Sequence, residues 1–127
     1  MGYTTKRRLE LLLWGLVILL FVAKAIYIIS IYSDLPPRIA IHFDLHGEPN
    51  GFGARWSLWE LYAIDVFCVL VMWGCTKLPN SLMAGFNDIP AENRQLARSN
   101  IGLMMSITAL ITSLVLAYAL WYIVTCN

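Results

Sequence analysis

Charged residues are scarce in this chain of 127 residues, of which they make up 13%, whereas a typical soluble domain is about one quarter charged. Histidine occurs twice and cysteine three times, which is too sparse for a disulfide framework or a cysteine-based metal motif. The sequence also lacks a Ser/His/Asp set, a phosphate-binding glycine loop and a nucleotide fingerprint. We therefore expect no enzyme, no cofactor and no nucleic-acid partner.

Apolar residues, by contrast, account for 59% of the sequence. They form three runs, at about 9–32, 58–75 and 101–124, and a spanning helix needs roughly 20 such residues. Lipid offers no partner for an exposed backbone amide, so spanning segments of this kind are helical. The sequence predicts an all-α membrane protein with three transmembrane helices in a single domain, residues 1–127, surrounded by the lipid bilayer.

Basic residues are concentrated at the N-terminus and in the second connection, about 76–100, and not in the first connection, 33–57. The positive-inside rule therefore places the N-terminus and the second connection in the cytoplasm. A signal peptide is the competing interpretation, but the apolar run continues past Ala25 and a lysine inside a cleavage site is unusual. The basic residues counted are Lys6, Arg7, Arg8, Lys77, Arg94 and Arg98 inside, against Arg38 and Arg55 outside.

Two charged residues fall inside the apolar runs, where ionisable groups are costly and are usually paired or functional. Lys24 and Asp65 lie at matching depths, roughly 12 Å from the outer ends of their helices at about 1.5 Å per residue. They are therefore predicted to form a buried ion pair. The pair serves either as a proton or ion relay or as a device that fixes helix register, and a lone pair makes no continuous polar path.

Small residues recur every three or four positions along the third span, which makes a face where another helix can approach closely. The sequence leaves open whether this face meets the chain's own helices or a second copy in a homo-oligomer. Just before this span, Arg94 and Arg98 share a helix face and either reach lipid phosphates or border a solvated turn. The small residues are Gly102, Ser106, Ala109, Ser113 and Ala117.

The first connection is the one long polar and turn-rich stretch between the apolar runs, and any specific activity is expected there. Pro36 and Pro37 forbid a helix, and the glycines permit tight turns. The alternation in residues 38–43 predicts a short strand or extended segment. We expect an ordered extracytoplasmic loop that rests on the helix ends through an apolar underside formed by Phe43, Leu45 and Phe52.

Four side chains that can bind metal alternate along this loop, at His42, Asp44, His46 and Glu48. In a continuous strand they would project to one side, a spacing compatible with a divalent ion. Gly47 and Pro49 are expected to turn the chain before Glu48, so hydrogen-bonded loop side chains are expected here and no metal. These four residues are the predicted contacts for an external ligand.

The loop sequence LPPRIAIHFDLHGEPNGFGAR runs from Leu-Pro through a short strand to His-Phe, then Gly-x-Pro, a turn and a basic residue. It resembles the signature of a bacterial membrane domain of unknown function, the domain 1648 family, found at the N-terminus of SdpI-type immunity proteins. Residues 79–93 look like the family's cytoplasmic segment. Ala40, Asn50 and Arg55 depart from the usual Pro, Asp and Lys. The matching residues are Leu35, Pro36, Ile39, His42, Phe43, Gly47 and Pro49.

This resemblance implies a multi-pass protein of the bacterial inner membrane whose domain has no assigned activity. The SdpI branch is associated with immunity to a secreted toxin and with holding a repressor at the membrane, but it carries a further multi-helix domain that this sequence does not contain. We hypothesise a binding or regulatory, immunity-type module whose outer loop recognises a peptide, lipid or cell-wall ligand. The alternative is a subunit of a small transporter or channel that uses Lys24 and Asp65.

Overall fold

Three long helices and one short β-hairpin make up the fold, and the computed structural model describes residues 2–83 and 85–127. The two strands are antiparallel neighbours. The all-α prediction is therefore corrected to a mostly helical fold with a small two-stranded sheet between the first two helices. In chain order the elements are α1, Tyr3–Ile31; β1, Arg38–Phe43; β2, Pro49–Ala54; α2, Ser57–Cys75; and α3, Ala91–Thr125.

All three helices are long and apolar enough to cross a membrane, which confirms the three predicted spans at this level and indicates a membrane protein. Helix α1 begins at Tyr3 and not at residue 9, and α3 begins at Ala91 and not at residue 101. The polar turns at both N-termini contain no helix-breaking residue, so the helices continue through them. The 35 residues of α3 extend roughly 52 Å, which exceeds the roughly 30 Å hydrocarbon core.

Helix α3 is the centre of the bundle, because α1 and α2 both pack against it and touch each other far less. The small residues of α3 face these two helices, and Ser106, Ala109 and Ser113 are completely buried. Side chains of this size let helices approach closely. The buried part of the small-residue face is thus occupied by the chain's own helices.

An apolar cluster joins the hairpin to all three helices at one end of the bundle. Its members are at most 7% exposed, so strand β1 is part of the packed core and the first connection is an ordered structure. We call this end of the bundle the hairpin end, and the opposite end, which carries the N-terminus and the connection between α2 and α3, the basic end. The cluster consists of Ile28, Leu35, Ile39, Leu58 and Leu120.

At the basic end, two arginines of α3 are turned back onto the connection that precedes the helix. The Nε of Arg94 donates to the carbonyl oxygen of Ile89 at 3.1 Å. The guanidinium of Arg98 donates to the carbonyl oxygens of Thr76 and Leu78. Both side chains therefore border this connection, and Arg98 fastens α3 to the end of α2.

Candidate functional site

The hairpin is held on the bundle by hydrogen bonds as well as by the apolar cluster. The N–H of Ala40 donates to Asn127 Oδ1 at 2.9 Å, and Asn127 Nδ2 donates to the carbonyl oxygen of Ala40 at 3.0 Å. The side-chain amide of Asn127 thus takes the place of a neighbouring strand, since backbone groups at a sheet edge need partners. Sequence reasoning missed this contact because no local pattern relates two residues so far apart.

Arg55, the basic residue at the end of the loop, fastens the hairpin to the end of α1. Its Nη1 donates to the carbonyl oxygens of Tyr32 and Leu35 at 3.3 and 3.2 Å. Its guanidinium also lies 4.8 Å from the centre of the Tyr32 ring. Carbonyl groups just past a helix C-terminus lack intrahelical partners and favour a cation. The loop therefore uses Arg55 as a structural cation.

The turn between the strands is fixed by its own side chains. Asp44 Oδ1 accepts hydrogen bonds from the backbone N–H groups of His46 and Glu48 at 2.8 and 3.0 Å, as in an Asx turn. Gly47 has a φ of +80°, which glycine adopts without strain. The Tyr122 hydroxyl donates to the carbonyl oxygen of Gly47 at 3.3 Å, and a Cβ on that glycine would lie 2.9 Å from this hydroxyl oxygen. The turn is therefore a well-defined feature.

The strand register places His42 opposite Gly51. A Cβ at Gly51 would lie 2.9 Å from the Cβ of His42, so glycine leaves the room that the histidine needs. The register shifts on either side of His42 and interrupts simple alternation there, and His42 is exposed. Irregularities of this kind re-aim side chains. Ile39 and Ala40 precede these shifts, and both are buried, Ile39 in the apolar cluster and Ala40 against Asn127.

The predicted apolar underside of the loop is largely wrong. Leu45 is 103% exposed at the turn, and Phe52 is 54% exposed. Of the three residues predicted, Phe43 packs on the bundle, with its ring centre 5.0 Å from that of Tyr122. The bundle contact expected for the other two is made by Ile39, which is completely buried in the apolar cluster.

The four side chains that can bind metal do not share one side of a continuous strand, because the chain turns among them. Strand β1 ends at Phe43, and the carboxylate of Asp44 is bonded to the turn itself. Within residues 2–83 and 85–127, no group of three His, Cys, Asp or Glu side chains is placed to hold a metal ion. His42, His46 and Glu48 are exposed and can reach a ligand outside the bundle.

A crevice of about 160 Å³ lies between β1, the first turns of α2 and the end of α3. We call it the hairpin crevice. His42 and Glu60, both exposed, and Ser57 give it a polar edge. The sequence analysis assigned no role to Glu60, whose position beside His42 depends on how the hairpin folds back over α2. The apolar lining residues are Ile41, Leu58, Leu61, Ile64 and Ile123.

The hairpin end carries more acidic than basic side chains. Residues 33–60 contain four carboxylates and two guanidinium groups. The Arg55 guanidinium is already held by backbone carbonyls, and Arg38 lies over the Phe52 ring at 5.4 Å. The exposed carboxylates of Glu48 and Glu60 therefore face solvent on a surface of negative net charge.

A polar cluster also lies inside the bundle, where the structure brings Lys24 and Asp65 together in a buried ion pair. Lys24 Nζ donates to Ser113 Oγ at 2.7 Å and to the Ser113 carbonyl oxygen at 3.2 Å. All three helices thus contribute to one cluster. Ser113 had been recognised from the sequence as a small packing residue, and its hydroxyl as the third partner was missed.

The surroundings of this pair are closed. Asp65 is 1% exposed, and the cavity beside it measures about 10 Å³, room for about one water molecule. The other oxygen, Asp65 Oδ1, has no hydrogen-bond partner among the described residues. The cluster is therefore well placed to fix the helices against one another. The remaining cavity walls are Leu61, Tyr62, Leu116 and Leu120.

Comparison with known proteins bears on the hairpin and its flanking helices. The model of one protein family, a domain of unknown function designated DUF1648, matches residues 19–64. The matched region runs from the second half of α1 through the hairpin into α2, and it includes Lys24. No curated protein and no solved structure matches the chain. The match agrees with the family that the loop sequence predicted, and it shows that residues 19–64 are similar to the domain of unknown function DUF1648.

Proposed function

We propose that this chain is a membrane-anchored binding module whose hairpin crevice takes a cationic, amphipathic peptide segment outside the cell. The observation that supports this best is a crevice with a carboxylate at its edge and apolar walls, beneath a hairpin that is fastened to the bundle. Glu60 supplies the carboxylate, and Ile64 and Ile123 belong to the apolar walls. Apolar burial supplies affinity, whereas charge steers and orients the ligand.

The charge of the hairpin end favours a peptide over the other two ligand classes. Four carboxylates against two guanidinium groups repel anionic phospholipids and anionic cell-wall polymers, and they attract a cationic chain. Exposed His46 and Glu48 on the turn extend this surface beyond the crevice. A peptide can contact the turn with its charges while its apolar side chains enter the crevice.

This proposal agrees with an immunity-type or regulatory role, because a module that captures a secreted cationic peptide at the membrane can neutralise it or report its presence. On this proposal the protein lies in the inner membrane of a bacterium, with the N-terminus in the cytoplasm and the hairpin outside. It performs no catalytic step. The resemblance of the loop to SdpI-type immunity proteins supports this direction.

The transporter or channel alternative receives less support from the geometry. Lys24 is engaged by Asp65 and by Ser113, and the neighbouring cavity of about 10 Å³ is too small for a hydrated ion. An ion path needs a continuous polar lining. The arrangement fits a structural pair better than a relay.

The peptide proposal predicts that Glu60→Gln weakens binding. The probe is a fluorescein-labelled hexapeptide of lysine and leucine, titrated against the protein in phosphatidylcholine nanodiscs and followed by fluorescence anisotropy, with empty nanodiscs as background. Loss of one charged contact at the crevice is expected to lower affinity about tenfold, since a hydrogen bond to a charged group contributes about 1.5–3 kcal/mol. The matching glutamate and leucine hexapeptide is expected not to bind.

The control is Glu92→Gln, which removes the same charge from an exposed position on α3 at the basic end. It is expected to leave peptide affinity unchanged. Equal affinity for the lysine and glutamate peptides would contradict the proposal. Equal losses for the Glu60 and Glu92 variants would show that net charge, and not the crevice, governs binding.

The orientation is tested with a cysteine that the chain already has. Cys126 is exposed at the hairpin end, so a membrane-impermeant maleimide added to intact cells is expected to label it. In a Cys126→Ser background, Asn50→Cys in the hairpin is expected to be labelled as well, and Ser81→Cys at the basic end only after the cells are permeabilised. Labelling of Ser81→Cys in intact cells would reverse the orientation.

A further inference from the structure

A polar pocket of about 140 Å³ lies at the basic end, between the first turns of α1, the end of α2 and α3. Three of its lining residues are cations and one is an anion. We call it the basic pocket, and it is separate from the hairpin crevice, which lies at the other end of the bundle. Its principal lining residues are Arg7, Glu10, Lys77, Arg98, Ser99 and Gly102.

The charges of the basic pocket favour an anion. Arg98 is oriented by the carbonyl oxygens of Thr76 and Leu78 at the end of α2. The Glu10 carboxylate lies against α3, where a Cβ at Gly102 would come within 2.6 Å of it. With Arg7 and Lys77, the pocket has three positive charges against one negative charge.

A buried hydroxyl provides an independent indication of a ligand. Ser99 is 8% exposed and lines the basic pocket, and in the part of the chain that the structure describes its Oγ has no hydrogen-bond partner. An unsatisfied buried polar group is unfavourable. A ligand oxygen in the pocket would accept a hydrogen bond from this hydroxyl.

An apolar groove of about 460 Å³ is lined by the turns of α1 and α2 that adjoin those of the basic pocket. It runs between α1 and α2, which pack on α3 and leave a gap between themselves. On α1 the pocket residues Arg7 and Glu10 are followed at helical spacing by the groove residues Trp14, Val17 and Phe21. The pocket and the groove therefore share one face of α1.

Helix α2 shows the same continuity. Trp73 lines the groove and Lys77, four residues later, lines the pocket, and the Lys77 ammonium lies 5.7 Å from the Trp73 ring centre. Trp14 and Trp73 thus flank the groove near its polar mouth, the depth at which tryptophan is enriched in membranes.

We propose that the basic pocket and the groove form one site for an anionic phospholipid of the surrounding leaflet. The phosphate lies near Arg7 and Lys77 and accepts a hydrogen bond from Ser99, while one acyl chain lies between α1 and α2. A soluble anion would occupy the pocket and leave the groove unused. A phospholipid matches both because its charge and its chain are joined at the boundary where pocket and groove meet.

The test uses phosphatidylglycerol with brominated acyl chains, which quench tryptophan on contact, against phosphatidylcholine with the same chains. The purified chain, with Trp56, Trp59 and Trp121 replaced by phenylalanine, is titrated in detergent with each lipid, so that quenching of Trp14 and Trp73 reports occupancy of the groove. Phosphatidylglycerol is expected to bind more tightly. Arg7→Gln and Lys77→Gln are each expected to weaken it roughly fivefold. Equal affinity for the two lipids would overturn the proposal.

Arg8→Gln is the matched control for charge, because Arg8 adjoins Arg7 but does not line the pocket. It is expected to change affinity less than about twofold, since its charge lies outside the pocket and is screened at that distance. A loss equal to that of Arg7→Gln would show diffuse attraction in place of a site. Inorganic phosphate is the second probe, and if it displaces the lipid and stabilises the protein as well, the pocket is an anion site without a lipid.

The acyl chain is tested separately by filling the groove. Leu70 lines the groove and is 58% exposed, whereas Leu114 on α3 is 50% exposed and does not line it. Phosphatidylglycerol is expected to raise the midpoint of thermal unfolding, followed by circular dichroism, in the wild type and in Leu114→Trp, but not in Leu70→Trp. If phosphatidylglycerol still raises the unfolding midpoint of Leu70→Trp, the groove is excluded as the site of the acyl chain.

Discussion

Replacing Lys24 with methionine is expected to destabilise the bundle by about 3–5 kcal/mol, because the Asp65 carboxylate would remain buried without its counter-charge. Asp65 is 1% exposed, so water cannot compensate for the lost partner. Adding Asp65→Leu is expected to restore much of the loss, since the orphaned charge is then gone. Unfolding of the purified protein in detergent, followed by tryptophan fluorescence, measures both effects.

Lys6→Met serves as the control for this pair. Lys6 donates to Asn100 Oδ1 at 2.5 Å at an exposed site, where such contacts contribute less than about 1 kcal/mol. If the stability losses of Lys24→Met and Asp65→Leu simply add in the double variant, Lys24 and Asp65 are not a coupled pair. A double variant that regains its stability but loses a proton flux that the wild type shows in liposomes would favour the relay instead.

The second large effect is expected for Ile39→Ala, at about 2–5 kcal/mol for removing a large buried apolar side chain. Ile39 is 0% exposed and belongs to the cluster that joins the hairpin to the three helices. Its loss should loosen the hairpin before the helices separate. The expected result is a lower unfolding midpoint together with new protease cleavage between Asp34 and Arg55.

Leu45→Ala is the matched control, because Leu45 belongs to the same loop and is 103% exposed. It is expected to change stability by less than about 0.5 kcal/mol, as surface substitutions usually do. Protease resistance of Ile39→Ala equal to that of Leu45→Ala would show that the hairpin is held by its hydrogen bonds and not by the cluster.

The three helices could be predicted from the sequence, because they follow from the length of its apolar runs. Long apolar runs must satisfy their backbone internally in lipid, so three helices could be predicted together with an ordered segment between the first two. The matching depths of Lys24 and Asp65 also follow from counting residues, since helical rise is constant. The loop residues from Leu35 to Pro49 were sufficient to predict the family.

Local patterns failed where the chain leaves regular geometry. Leu45 lies in the turn beyond the end of β1, and Phe52 pairs with Ala40 and lies under Arg38, so both are exposed although contact with the helices was predicted. The turn at Asp44 separates the four side chains that a continuous strand would have aligned. The strand pairing shifts on both sides of His42, and periodicity alone does not reveal where such irregularities fall.

Hydrophobic length and helical rise act over short stretches of chain, so they are enough to predict apolar helices around a polar hairpin. Which distant groups meet depends on the packing of the whole chain: Ser113 with Lys24, Asn127 with Ala40, and Glu60 with the hairpin crevice. Tertiary structure also decided that α1 and α2 would each pack on α3 and leave a groove between them. These contacts depend on how the helices cross, and the packing of small side chains on α3 sets that crossing in three dimensions.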